Sequence, residues 1–419
     1  MARRGEPPIR VLLMAGSMEA GGSERQTLML LRHLDRARFR PVLYLSRRTG
    51  ELLTEVPADV DTFAFSDVAG PAGWYFPGRR LRQQTRYLRS VIEGQAIDVV
   101  YDRTFHMTLM AGPAARRARV PRVATVVAPP DRMLPQAESR FVWLKRRRLS
   151  RAYRDAVAVT AASRQVASAT ERYYELTPGR VEVIPSGVDG EAIRAAMEPP
   201  PPARDDRPTL VCVGRMTEEK GHADLLEALR RLPPADLPGF DGASDSVASK
   251  SPGASGGAEM PAASLRVWLI GDGPLRAPLR QRWEASPGHH QVDWLGVWVP
   301  AWSAIAAADA LVLPSRFEGT PNVVLEAMAL GTPVIATRAG GTAELQRDRP
   351  IAFWAEPGNP KSLAEAIRRW LGNPAAAAAQ AAEAKRLVLA EHDPRVFADR
   401  VGRLLLRAAG FSEPIRKGV

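Results

Sequence analysis

The residues best placed to do chemistry lie in the segment Asp309-Ala-Leu-Val-Leu-Pro-Ser-Arg-Phe-Glu318-Gly319-Thr320-Pro321-Asn322-Val-Val-Leu-Glu326-Ala-Met-Ala-Leu-Gly331-Thr-Pro333-Val-Ile-Ala. Its order is strand, loop, helix, turn, strand. Glu318 falls in the loop and Glu326 in the second turn of the helix, so two carboxylates can accept hydrogen bonds from sugar hydroxyls at opposite ends of one elongated ligand. Two solvated glutamates would read the same way. Thr320 can cap the helix and Pro321 suits its first position, which leaves the amides of Asn322 and Val323 to meet an anion. Upstream, an apolar strand runs into Gly214-Arg215 and, across a short loop, into Lys220-Gly221 at the start of a helix. Two cations at the carboxyl end of a strand can neutralise a diphosphate. Lysine numbers six here against 52 arginines, so Lys220 is not basic background. Near the start, Gly21-Gly22-Ser23-Glu24-Arg25 follows a first strand and opens a helix, either as a phosphate approach or as a tight turn capped by Ser23.

These groups need rigid elements to hold them. Short runs rich in Val, Ile and Leu alternate with longer helical stretches, the pattern of parallel sheets with helices on both faces. One series takes strands at Ile9 to Ala15, Pro41 to Leu45, Val99 to Tyr101, Val123 to Val127 and Val181 to Ile184, with a helix over Glu24 to Leu34. A second takes Thr209 to Val213, Leu265 to Ile270, Val292 to Leu295, Ala310 to Leu313 and Pro333 to Ala336. The fold class is therefore α/β. Residues 1–190 form one Rossmann-like domain, 191–208 a proline-rich linker and 209–393 a second Rossmann-like domain. Residues 394–419 supply a closing helix and tail, and the Gly-, Ser- and Ala-rich stretch 233–263 is a surface insertion without chemistry.

Together these pieces resemble the retaining glycosyltransferases numbered family four, whose GT-B fold sets two doubly wound domains across a cleft. The resemblance rests on the Gly21-Gly22 loop, Val183-Ile-Pro-Ser-Gly187-Val-Asp189, Val213-Gly-Arg215 with Lys220-Gly221, Ile270-Gly-Asp-Gly-Pro274 and the Glu-x7-Glu pair. It implies transfer of a sugar from a nucleotide diphosphate donor to a saccharide or lipid-linked acceptor, in cell-envelope polysaccharide, lipopolysaccharide or glycolipid synthesis. Arg215 and Lys220 would hold the diphosphate, Glu318 the transferred sugar and Glu326 the ribose. Gly21 and Gly22 would approach from the opposite domain, and Gly214, Gly319, Thr320, Asn322 and Val323 would line the donor site. Arg215, Lys220 and Glu318 would carry the catalysis. No cofactor and no metal are implied, and the Asp59-Val60-Asp61 triplet reads as loop or strand edge.

The chain departs from the family in two places. Ser186 stands where members usually carry Asn, and Val126-Val127-Ala128-Pro129-Pro130-Asp131 lacks the histidine that many carry near the donor sugar. His106 and Asp131 are candidates for the sugar or acceptor side, although a lone histidine is more often structural.

A net charge of +12 invites polyanions, yet aromatics make up only 6% and no nucleic-acid motif accompanies the charge. The stretch Arg140 to Arg154 holds seven basic residues and no acid. At about 100° per residue it gathers Phe141, Val142, Leu149, Ala152, Tyr153 and Ala156 on one side. This is either an interfacial helix for anionic lipid or a surface helix of the first domain. A single cysteine, Cys212, excludes an internal disulfide framework, and no run of apolar residues reaches the length of a membrane span. A cytoplasmic protein is expected, at most peripheral on the inner membrane face. A nucleotide-sugar epimerase and a non-catalytic nucleotide-sugar binding protein are the alternatives.

Overall fold

The structure is a computed structural model that describes residues 7–70, 78–138, 141–195, 198–233 and 264–411. The insertion expected over 233–263 lies outside the described residues apart from Pro233, as do Arg140 and the tail from 412. The chain divides into two units. One runs to Asp189 and resumes at His392, and the other spans Gly190–Glu391.

The first unit is built on a parallel seven-stranded sheet. Its strands are β1 (Ile9–Ala15), β2 (Phe39–Leu45), β3 (Asp61–Ala64), β4 (Val99–Arg103), β5 (Arg122–Val126), β6 (Ala158–Ala161) and β7 (Val181–Val183), in the order β3-β2-β1-β4-β5-β6-β7. Both faces are covered, which is why β1 is apolar without a break from Val11 to Ala15. Val11, Leu13 and Ala15 enter one core, and Leu12 and Met14 enter the core on the other face. The helix Gly22–His33 lies on the first face, and so does the last helix of the chain, Pro394–Ala408, through Phe397, Val401, Leu404 and Leu405. Its return is fixed where Val188 N donates to His392 O (2.8 Å) and His392 Nδ1 donates to Ser186 O (2.7 Å). Ser186, the departure from the expected Asn, is thus a buried backbone acceptor.

The second unit carries a parallel six-stranded sheet of β8 (Thr209–Val213), β9 (Arg266–Ile270), β10 (Gln291–Gly296), β11 (Ala310–Leu313), β12 (Val334–Thr337) and β13 (Phe353–Ala355), in the order β10-β9-β8-β11-β12-β13. Within the stretch expected as a linker, Gly190–Ala195 is helical. Arg204 further on grips Asp309 with two hydrogen bonds of 3.0 and 2.8 Å, which pins the proline-rich segment to this unit. In both sheets the strand order reverses beside the first strand, between β1 and β4 and between β8 and β11. Crevices at the carboxyl ends of such strands are where doubly wound folds take ligands.

One buried ion pair ties β4 to β5 in the first unit. Arg122 Nη1 meets Asp102 Oδ2 at 2.6 Å, with both side chains almost wholly buried, and Thr108 Oγ1 donates to the other carboxylate oxygen at 2.5 Å. The same guanidinium donates to Ala152 O. Arg122→Met removes the cation and leaves a buried charge, so the first unit should lose about 3 to 5 kcal/mol of unfolding free energy. Denaturant titration checks this, and pairing it with Asp102→Leu should recover much of the loss.

Candidate functional site

At the switch point of the second unit, three loops meet backbone to backbone. After β8, Gly214 N donates to Ile270 O (2.9 Å) and Met216 N to Asp272 O (2.9 Å), which joins the Gly-Asp-Gly-Pro loop after β9 to the Gly-Arg loop. A Cβ on Gly271, whose φ is +137°, would lie 2.0 Å from Gly214 O. Gly221, with φ of +67°, approaches the loop after β11 as closely, because a Cβ there would stand 2.0 Å from Pro314 O. Arg316 N then donates to Glu219 O at 2.7 Å.

That approach brings two of the predicted groups into contact. Lys220 Nζ lies 2.6 Å from Glu318 Oε1, and Ser315 Oγ donates to the same oxygen at 2.7 Å. Glu318 is buried, and its own backbone is hemmed in by Gly340, where a Cβ would sit 2.0 Å from Glu318 O. A second bond between the loops is a guanidinium fork: Arg316 Nε and Nη2 donate to the two oxygens of buried Asp224 at 2.8 and 2.9 Å. This pairing raises Arg316 above its ordinary pKa. Arg215 is exposed, and its guanidinium has no hydrogen-bond or ion-pair partner among the described residues. A cation and a paired lysine flanking one strand end can bind a diphosphate, and a carboxylate behind them can bind hydroxyls.

The helix Asn322–Leu330 starts one residue later than expected. Pro321, not Thr320, is its N-cap, because the first helical bond runs from Val324 N to Pro321 O (3.1 Å), and no side chain caps it. Asn322, Val323 and Glu326 are half-buried and share one helical face, while Val324, Leu325, Ala327 and Met328 face the core. Gly319 is buried in the turn before them.

Sequence reasoning missed Ser315, Asp224, Arg316, Gly340 and His222. Only the Gly340-Gly341 pair after β12 carried a signal, the same strand-then-glycines grammar as Gly21-Gly22. His222, first residue of the helix His222–Arg230, is 1% exposed, and neither ring nitrogen has a hydrogen-bond partner among the described residues.

In the first unit, Gly21 is the N-cap of the helix Gly22–His33, and Ser23 lies inside the helix instead of capping it. Glu24 folds back over this end, with Oε2 2.3 Å from where a Gly21 Cβ would be. Burial holds its carboxyl above the ordinary range, against the pull of a backbone hydrogen bond and the Arg103 charge. Arg103 itself, buried at the end of β4, reaches Ser23 Oγ (3.5 Å) and Tyr101 OH (3.2 Å). The structure does not join His106 and Asp131 to each other among the described residues: His106 Nε2 lies 3.4 Å from Glu138, and Asp131 is 4.0 Å from Arg132. Asp59 pairs with Arg36 at 2.6 Å while Asp61 opens β3, and no cluster of metal-ligating side chains exists among the described residues.

The basic helix Val142–Asp155 corrects its expected face. Leu149, Ala152 and Tyr153 are buried in the first unit, with Ala156 following, but Phe141 is 57% exposed on a left-handed backbone and Trp143 is 67% exposed. Arg147, Arg148 and Arg151 are exposed on the same helix. No described helix is long and apolar enough to cross a membrane.

With this geometry in hand, the chain can be compared with known proteins. Two family models match it in succession, Glycosyltransferase Family 4 over residues 20–192 and Glycosyl transferases group 1 over 194–387. It is 29% identical to the lipopolysaccharide core biosynthesis glycosyltransferase LpsD of Rhizobium meliloti over 42% of this chain and 44% of that one. It is 27% identical to a GDP-mannose-dependent alpha-(1-6)-phosphatidylinositol monomannoside mannosyltransferase of Mycolicibacterium smegmatis, over 71% of this chain and 73% of that one. For the first three curated relatives it matches, the chain spans only 33 to 44% of their length. The structure of Anabaena Alr3699/HepE in complex with UDP and glucose matches with a TM-score of 0.71 at 18% identity, over 95% of this chain and 99% of that one. The fold is GT-B.

Burial, and then the charge of Lys220, push the His222 pKa down to about 4. The folded chain therefore binds this proton less readily than the unfolded chain, and stability should fall as pH drops from about 6.5 to 4, by about 3 kcal/mol for this one group. Urea titrations across that window should show a shallower slope for His222→Gln.

Proposed function

The chain belongs to the group 1, family 4 glycosyltransferases, and from that membership we propose that it transfers a sugar from a nucleoside diphosphate donor to an acceptor hydroxyl with retention of configuration. The observation that carries the reading is the meeting of Arg215, Lys220, Glu318 and the start of the helix Asn322–Leu330 around the switch point of one parallel sheet. Arg215, Lys220 and that helix end stabilise negative charge as the diphosphate leaves. Glu318 orients the sugar, Glu326 holds the ribose, and a phosphate oxygen of the leaving group takes the acceptor's proton. The chain itself supplies the cations, so neither a metal nor a cofactor enters this scheme. Gly21 and Gly22 of the first unit contact the diphosphate or the acceptor. The UDP and glucose held by the Anabaena protein and the biosynthetic names of the curated relatives support a nucleotide-sugar donor and a saccharide or lipid-linked acceptor.

Incubation with labelled nucleotide sugars tests the activity directly. Nucleotide release together with a glycosylated acceptor is expected, and an epimer or binding alone would overturn the reading. Arg215→Ala and Lys220→Ala should each lower turnover by about 100- to 1,000-fold, with a smaller loss of donor affinity, since charge grows toward the transition state. Arg215→Lys should rescue incompletely, because a point charge does not reproduce a fork on two phosphate oxygens. A chelator should leave the wild-type rate unchanged.

A lipid-linked acceptor would place the protein on the cytoplasmic face of a membrane. The exposed Phe141 and Trp143 beside Arg147, Arg148 and Arg151 have the chemistry for an anionic surface. Each cation there contributes about 1 kcal/mol, so changing all three to Gln should weaken binding to vesicles containing phosphatidylglycerol by about 100-fold. Binding that ignores both the substitutions and salt would exclude this role.

A further inference from the structure

Glu318 receives both of its hydrogen bonds on one oxygen. Oε1 accepts from Lys220 Nζ at 2.6 Å and from Ser315 Oγ at 2.7 Å, and Oε2 has no hydrogen bond among the described residues. If Lys220 serves a diphosphate, the greater negative charge there draws its ammonium away from this carboxylate. Glu318 is 8% exposed, and a buried carboxylate that loses its cation must keep a hydrogen-bond donor or take up a proton. Ser315 is the donor that remains. It is wholly buried, its carbonyl accepts from Thr337 Oγ1, and the Glu318 backbone beside it is fixed by the close approach of Gly340.

We propose that Ser315 is a positioning residue that keeps Glu318 Oε1 engaged while Lys220 changes partner from the carboxylate to the donor diphosphate, which leaves Oε2 to receive a hydroxyl of the donor sugar. The proposal rests on the reading of this site as a nucleotide-sugar site. It has two consequences that a merely structural Ser315 would not have. Glu318 competes with the diphosphate for Lys220, so the carboxylate opposes binding of a nucleotide that lacks a sugar. Ser315, acting only through Glu318, matters when Lys220 leaves the carboxylate, so its removal is felt on diphosphate binding and only while residue 318 carries a charge.

Calorimetry separates these effects, using UDP, GDP and ADP together with the corresponding diphosphoglucoses and carrying forward the base that binds wild type best. Glu318→Gln keeps the shape but removes the competing charge. It should bind the free diphosphate about tenfold more tightly, the worth of one charge-assisted hydrogen bond, and bind the diphosphoglucose more weakly. Ser315→Ala should weaken the free diphosphate by about tenfold, because the departing Lys220 then leaves the Glu318 carboxylate without a donor, and it should have no such effect in the Glu318→Gln background, where no buried charge is left. No tightening in Glu318→Gln overturns the exchange of partners. No loss of diphosphate affinity in Ser315→Ala, or an equal loss in the wild-type and Glu318→Gln backgrounds, reduces Ser315 to a packing role. Either result defeats the proposal while the site reading stands, whereas a wild-type protein that binds none of the six nucleotides defeats both.

Discussion

Everything in the candidate site depends on how closely one stretch of backbone approaches another. Gly221 lies so near Pro314 O that any side chain there would overlap it, and its φ of +67° is one that other residues adopt only under strain. Because the two loops touch at this point, the short side chain of Ser315, the flexible stem of Lys220 and the carboxylate of Glu318 can share one oxygen. Charge-assisted hydrogen bonds are short, so the pair depends on the two loops staying close. The Asp224–Arg316 fork then acts as a second tie across the same gap. It removes freedom from the loop ends that the Lys220–Glu318 pair alone would leave.

Parallel strands account for why these loops meet at all. Each strand of the second unit delivers its following loop to the same edge, and the reversal of order beside β8 leaves a crevice between the loops after β8 and β11. The first unit repeats the plan, with Gly21 after β1 and Arg103 at the end of β4. Its local charge pattern differs. Glu24 covers the helix end there, so a carboxyl group of the chain itself stands where an anion would approach, and burial holds it above the ordinary carboxylate range against the pull of a backbone hydrogen bond and the Arg103 charge.

Much of the framework was legible because buried parallel strands must be apolar on both faces. Such runs at Ile9, Thr209 and Ala310 fall within a residue or two of where the strands lie. The strands at Asp61, Ala158 and Phe353 were not legible: three or four residues long and built partly of alanine and threonine, they carry too little apolar contrast to stand out. The home of the last helix was also hidden, since its apolar spacing says that one face is buried but not in which core. At the site, the charged residues and glycines announced themselves by type. Ser315 and Asp224 did not, because their importance comes from the partner they touch. Thr320 misled because capping preference is a statistical tendency, and here the carbonyl of Pro321 accepts the first helical bond instead.

The basic helix shows the same limit of periodicity from another side. Spacing correctly groups Leu149, Ala152 and Tyr153, but a helical period reports only that a face is apolar and not what covers it. Here the protein's own core covers that face, with Tyr153 fully buried against Tyr174 at 4.8 Å between ring centroids. What remains outside is Phe141 and Trp143, at the helix start and off the buried stripe, among arginines without salt-bridge partners at 147 and 148 among the described residues. Large aromatics are costly to leave in water and well suited to a headgroup region, where one face is apolar and the edge is wet. Any lipid contact by this helix must therefore use its outer surface and leave the inner one in place, so that membrane binding and folding draw on different residues of the same element.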